Sequence, residues 1–133
     1  MSKFKVLLIE DVLAERMRVM NVLRGFDVEI ESAVTFERAR DLVAKRKYDL
    51  IISELLLSNC PEFQGDGIQF WHFVQNVHPD HGLLLVADDS MRNTIELFLK
   101  DQELPAMISK PVCHIALTEI LHDRLQWVKK LAA

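Results

Sequence analysis

Short apolar runs and amphipathic stretches alternate along this chain. Val6-Leu7-Leu8-Ile9, Leu50-Ile51-Ile52 and Leu83-Leu84-Leu85-Val86 are uninterrupted apolar runs, the mark of strands covered on both faces. Val28-Glu29-Ile30 and Ala106-Met107-Ile108 read as shorter strands. The stretches between them carry helical spacing. Leu13, Met17, Met20 and Leu23 place one apolar face on a first helix, with Gly25 expected as its C-cap. A second helix, Phe36 to Lys47, turns Ala39, Leu42 and Val43 inward behind an N-cap at Thr35. A third, Gly67 to Val77, carries Ile68, Phe70, Trp71, Phe73, Val74 and Val77 before His78-Pro79-Asp80 breaks it. Asp89 or Ser90 caps a fourth bearing Met91, Ile95, Phe98 and Leu99. The fifth, Cys113 to Leu131, sets Leu117, Leu121, Leu125 and Val128 on one stripe. Leu55 to Asp66, with Asn, Pro and Gly, reads as loop.

Five strand–helix units in succession predict an α/β fold: a doubly wound parallel sheet with right-handed crossovers and helices on both faces. No repeat or linker divides it, so residues 1–133 read as a single domain. The length agrees, since single domains cluster near ~100–150 residues and bury roughly two-thirds of their unfolded surface.

Composition narrows the function classes. The chain is 50% apolar and 27% charged with a net charge of −4, which excludes a disordered chain. Four Gly and four Pro exclude collagen-like or linker sequence. The mild acidity argues against a nucleic-acid partner, which needs concentrated Lys and Arg. Lys45-Arg46-Lys47 and Lys129-Lys130 read instead as cationic helix ends. Cys60 and Cys113 are too few for a disulfide scaffold and suit a reducing compartment; both read as buried thiols, although Cys113 at a helix start could have a lowered pKa. No window reaches the ~20 apolar residues of a membrane span, and no signal peptide precedes the first strand. The expectation is a cytoplasmic protein with no membrane partner. No second domain follows Leu131 within this sequence: taken by itself it is expected to be a stand-alone module, and as a piece of a longer protein its output would lie outside it.

In such a sheet, chemistry collects at the carboxyl ends of the strands. Those ends here carry Glu10-Asp11, Glu54, Val86-Ala87 and Ser109-Lys110-Pro111. Three carboxylates beside one lysine repel one another unless a cation joins them. Mg2+ would suit such oxygen ligands, and Lys110 is the other candidate. Taken singly, each residue reads better as part of a solvated acidic rim; as a set on successive strand ends they read as a site. No G-x-G-x-x-G, G-x-x-x-x-G-K-[ST] or H-E-x-x-H motif supports an enzyme, and His78 with His81 reads as a chance pair across a turn.

With Lys5-Val6-Leu7-Leu8-Ile9-Glu10-Asp11, Tyr48-Asp49-Leu50-Ile51-Ile52-Ser53-Glu54, Asp66-Gly67 and Ser109-Lys110-Pro111 in that order, the chain resembles the receiver domain of bacterial two-component response regulators, the CheY-like superfamily, over nearly its whole length. The resemblance implies a flavodoxin-like (βα)5 sheet in the order 2-1-3-4-5 and an aspartate that accepts phosphate from a histidine kinase. It also implies Mg2+ on an acidic pair, here Glu10 and Asp11, and phosphoryl contacts from a Thr or Ser and a Lys, here Val86 and Lys110.

Three departures decide the expected function. Glu54 stands where the phosphoacceptor aspartate belongs, Val86 where the switch hydroxyl belongs, and Met107 where the switch aromatic belongs. Ser58 replaces a family proline, and Asn59 to Gly65 lengthens the loop. Glutamate shifts its carboxylate by roughly 1 Å, which can cost ~10²-fold in rate. Loss of an oxyanion donor costs ~10²–10³ in acyl-transfer sites. The expectation is a receiver-like, non-enzymatic protein–protein interaction module that works without phosphorylation, with Glu54 held against Lys110 and Mg2+ binding weak or absent. Its partners would be a histidine kinase, an output protein or a second copy. The alternative is a phosphorelay receiver modified slowly on Glu54 or on Ser53, Asp66, Asp88 or Asp89; Asp88 and Asp89 otherwise read as helix-capping acids. Candidate partner surfaces are the fourth and fifth helices with the strand between them, the loop from Leu55 to Asp66, and second apolar stripes at Ile120, Trp127 and Leu131 and at Trp71 and Phe73.

Overall fold

Four apolar residues in a row commit the first strand to the middle of a sheet. In the computed structural model, which describes residues 4–55, 57, 66–77, 82–98 and 106–125, Val6, Leu7, Leu8 and Ile9 of β1 (Phe4–Ile9) are between 0 and 1% exposed. Each such side chain contributes about 1.5–3 kcal/mol of hydrophobic stabilisation. The chain continues through α1 (Leu13–Leu23), β2 (Val28–Ala33), α2 (Phe36–Lys45), β3 (Leu50–Glu54), α3 (Asp66–Val77), β4 (Gly82–Ala87), α4 (Asp89–Phe98), β5 (Ala106–Ser109) and α5 (His114–Leu125). The sheet runs β2-β1-β3-β4-β5, and all four pairings are parallel. This is the expected architecture and strand order.

Alternation along each strand divides the core in two. Leu7, Ile9, Ile51, Leu85 and Ala87 pack with Phe36, Ala39, Leu42, Val43, Phe70, Val74 and Ile95, from α2, α3 and α4. Val6, Leu8, Leu50, Ile52, Leu84 and Val86 pack with Val19, Val22, Leu23, Leu117 and Leu121, from α1 and α5. Phe36 and Phe70 join α2 to α3 with ring centres 5.7 Å apart. At the amino end of the sheet, Asp49 N–H donates to the Lys5 carbonyl at 2.7 Å. Lys5 N–H donates in return to the Asp49 carboxylate at 2.7 Å.

Several expectations change in detail. The buried face of α1 is Val19, Val22 and Leu23 with Met20 alongside, whereas Leu13 is 62% and Met17 37% exposed. The spacing alone permits either face. Gly25 follows a C-cap at Arg24, which keeps right-handed dihedrals. β2 extends to Ala33 because six residues pair with β1. α2 stops at Lys45, since Arg46 is already extended; its Thr35 cap accepts from Arg38 N–H at 3.1 Å as expected. α3 starts at Asp66 and β5 runs on to Ser109. Asp88, rather than Asp89 or Ser90, caps α4, accepting from Met91 N–H at 2.9 Å. Trp71 is buried, Phe73 packs against the core beside it, and Ile120 packs against the opposite core; these three belong to the domain's own interior. Cys113 is exposed rather than buried, because it immediately precedes α5 and only its carbonyl, accepting from Leu117 N–H, enters the helix. Cys60, Ser58, the lengthened loop at 59–65, His78, His81, Leu99, Trp127, Val128, Lys129, Lys130 and Leu131 lie outside the described residues.

Candidate functional site

The carboxyl ends of β1 and β3 bring Glu10 and Glu54 together with Lys110, the residue after β5. Glu10 and Glu54 are buried, 3% and 4% exposed. Two anions so far from water cannot stand uncompensated. Lys110 Nζ meets both: it lies 2.7 Å from Glu54 Oε2 and 3.6 Å from Glu10 Oε2. The second oxygen of Glu10 accepts from Val12 N–H at 3.1 Å, and the Glu10 carbonyl accepts from Arg16 Nη1 at 3.2 Å. Asp11 follows Glu10 and is partly exposed.

Burial works against the ammonium of Lys110. The hydrogen bond and charge of Glu54, then the charges of Glu10 and Glu15, outweigh it and hold the pKa above lysine's ordinary 10.5. Lys110 is therefore a cation at neutral pH, fixed by carboxylates from two strands.

Backbone pairing sets this geometry. Glu54 is in register with Val86 on β4, and Leu55 N–H donates to the Val86 carbonyl at 3.0 Å. Ala87 is in register with Ser109, and Lys110 N–H donates to the Ala87 carbonyl at 3.0 Å. The Lys110–Pro111 peptide is cis. Val86, 3% exposed, packs into the α1–α5 core. Met107 pairs with Leu85 and packs, partly buried, against the core on the α2–α4 side. A cleft of about 540 Å³ runs along β5 and α5, lined by Arg92, Met107, Ser109, Lys110, Cys113 and Ile120 among others. Arg92 Nη1 donates to Ser109 Oγ across it at 3.1 Å.

Two ion pairs thus bring Glu10, Glu54 and Lys110 together, with Val86 in register with Glu54. Asp88 is engaged as a helix cap and Ser53 is buried, donating to the Glu54 carbonyl at 3.0 Å. Arg16 and Glu15 were not among the expected site residues. Their signal was spacing: they lie in the first turn and a half after Glu10-Asp11, where a helix leaving the strand returns side chains to the site. Gly67 has an equally local reason. A Cβ there would collide with the backbone of Leu55, the residue after Glu54, so only glycine lets α3 start this close to the site.

No model of a known protein family matches the chain, and no curated protein matches it by sequence. Solved structures do match. The signal receiver domain of an HD domain-containing protein from Pseudomonas fluorescens superposes with a TM-score of 0.78 at 22% identity, covering 95% of this chain and 89% of its own. A CheY-like response regulator receiver domain from Methanospirillum hungatei gives 0.75 at 20% identity, covering 94% and 95%. The receiver domain of a sensor histidine kinase from Pseudomonas aeruginosa, described with a magnesium ion coordinated in its active-site cleft, gives 0.72 at 16% identity, covering 91% and 96%. The chain has the receiver fold.

Magnesium is the ion that this fold implies. Among the described residues no three acidic, histidine or cysteine side chains come together to hold a metal, and Lys110 Nζ lies 2.7 Å from Glu54 and 3.6 Å from Glu10.

Proposed function

We propose that this chain is a two-component signalling module of receiver type that acts by binding other proteins and does not depend on phosphorylation. The observation that carries this reading is the 2.7 Å ion pair between Glu54 and Lys110. In a phosphorylated receiver that lysine would attend the phosphoryl group; here a fixed carboxylate already holds it. Phosphoryl transfer depends almost wholly on positioning and charge stabilisation. Glu54 is too long for the acceptor's position, and Val86 supplies no donor.

Under this reading Glu54 stands in for a phosphorylated acceptor, and Met107, aliphatic where the fold's switch aromatic would sit, leaves the site uncoupled from the surface. The domain has no turnover of its own and works in the cytoplasm. Its partner would be a histidine kinase, an output protein or a second copy, met on the face of α4, β5 and α5. There Leu97 is 75% and Ile115 66% exposed, apolar surface available for a partner.

The test is incubation with acetyl phosphate and Mg2+ followed by intact-mass measurement. The expected outcome is an unmodified chain and equal partner recovery with or without the phosphodonor. A stoichiometric, hydroxylamine-labile adduct of about 80 Da on Glu54, one added phosphoryl group, refutes it.

A further inference from the structure

We propose that the cavity at the amino end of the sheet, between β2 and the chain leaving α2, binds a dianionic phosphoryl group through Lys5, Lys45 and Lys47.

The cavity lies at the opposite end of the strands from Glu54. It measures about 580 Å³, and its lining includes Lys5, Glu29, Glu31, Lys45, Arg46 and Lys47. Small-ligand sites have this size. Alternation along the strands builds its floor. Leu7, Ile9 and Ala33 pack on the α2 side of the sheet, so Lys5, Glu29 and Glu31 share that face. The chain leaving α2 forms the wall.

Charge decides what fits. Four cations line the cavity against two carboxylates. Glu31 is already committed: Arg46 Nη1 lies 2.6 Å from its Oε1, and the Tyr48 hydroxyl donates to the same oxygen at 3.1 Å. Glu29 is the register partner of Lys5 across the β1–β2 pairing. Lys45 and Lys47 are the surplus. Among the described residues neither forms an ion pair, Asp41 one turn before Lys45 included. Just beyond the lining, Asp49 accepts from Lys5 N–H and Arg38 acts on Glu31, so those two charges offset each other.

The helix dipole does not account for the surplus. It favours cations within the last turn of a helix. α2 ends at Lys45 and Arg46 is already extended, so Lys47 stands beyond its reach. In a chain of net charge −4, two uncompensated ammonium groups beside one cavity call for an anion of matching charge. A phosphoryl dianion supplies it, with oxygens that accept from several ammonium N–H donors at once. The site shares no residue with the Glu10–Lys110–Glu54 cluster, so this proposal and the proposed function fail separately.

The experiment follows amide shifts of the isotope-labelled chain by nuclear magnetic resonance, at low salt because exposed charges are screened. It is run at about pH 8, where a phosphate monoester with a second pKa near ~6 is dianionic. The probes are phenyl phosphate, inorganic phosphate and the monoanion phenyl sulfate. Phenyl phosphate is expected to saturate, moving Lys5, Glu29, Lys45 and Lys47, and phenyl sulfate to bind about tenfold more weakly. The Lys45→Gln/Lys47→Gln variant should weaken phenyl phosphate about tenfold or more. The charge-matched Arg18→Gln/Arg24→Gln variant should stay within about twofold of wild type. All four of these side chains are exposed, so both variants keep the fold. Inorganic phosphate binding as tightly as phenyl phosphate identifies the free anion as the ligand; weaker binding identifies an ester. Absence of saturable shifts, shifts centred on Lys110 and Glu54, equal binding of phenyl sulfate, or an affinity that both variants lower alike overturns the proposal.

Discussion

Val86 lies directly in register with Glu54 across the β3–β4 pairing, so the buried carboxylate at the end of one central strand has a methyl-bearing neighbour on the next. Lys110 Nζ supplies that carboxylate with a counter-charge at 2.7 Å.

Loss of that lysine therefore costs stability. Breaking a buried ion pair from one side strands a charge and typically costs about 3–5 kcal/mol. Lys110 retains some contact with solvent, its side chain being 24% exposed. Lys110→Met is expected to lose about 2–4 kcal/mol in metal-free urea denaturation. Lys110→Arg should lose less, because it keeps the charge.

High pH should unfold the protein through two groups. Tyr48, buried and donating to Glu31 Oε1 at 3.1 Å, is pushed up to about 12 from 10.0 by burial and then by the Glu31 carboxylate. Lys110 is held above 10.5. Both pKa values are higher folded than unfolded, so the stability they contribute is complete below pH 10; that of Tyr48 is lost as pH rises through about 12, and that of Lys110 is lost above its ordinary 10.5. Tyr48 is the single tyrosine, so ultraviolet absorbance of tyrosinate reads it alone. Its appearance is expected to coincide with unfolding, and Tyr48→Phe should make the alkaline loss of stability shallower.

Asp88 is expected to behave as a cap and not as a phosphate acceptor. Its carboxylate accepts from Met91 N–H at 2.9 Å. Asp88→Ala should cost about 1 kcal/mol and Asp88→Asn only a few tenths. Neither should change the intact mass after acetyl phosphate treatment; an adduct present in wild type and lost in both variants would count against the cap assignment.

Gly67→Ala tests the close approach of α3 to the site. Its Cβ would fall on the Leu55 carbonyl, with the Leu55 carbon and Cα each 3.0 Å away. Backbone cannot yield as a side chain does, so the expected loss is about 1–3 kcal/mol. Measured by thermal or urea denaturation, a neutral effect would show that α3 can withdraw from Leu55.

Much of this was legible in the linear order of residues. Val6 to Ile9 and Leu50 to Ile52 announce central strands because two-sided burial requires unbroken apolar runs, and the polar residues that follow each run are placed at the strand ends by that fact alone. Reading Glu54, Val86 and Met107 as departures rests on the resemblance to receivers and not on the periodicity. Periodicity was a poorer guide on α1, where Leu13 and Met17 share the expected stripe but Val19 and Val22 are buried. Residue spacing names a face without saying which neighbour reaches it.

The chain's own order thus determines the alternating α/β architecture and the identity of the residues at the sheet's carboxyl edge, since both follow from local hydrophobic period and from where each run ends. Only the folded arrangement supplied the distances from Lys110 to Glu54 and Glu10, singled out Asp88 among the candidate caps of α4, and showed that Gly67 is required by Leu55. Each of those depends on distances of a few ångströms between groups far apart in the chain or brought together by one local turn. Such distances are fixed by sheet register and helix packing rather than by any repeat in the residues themselves.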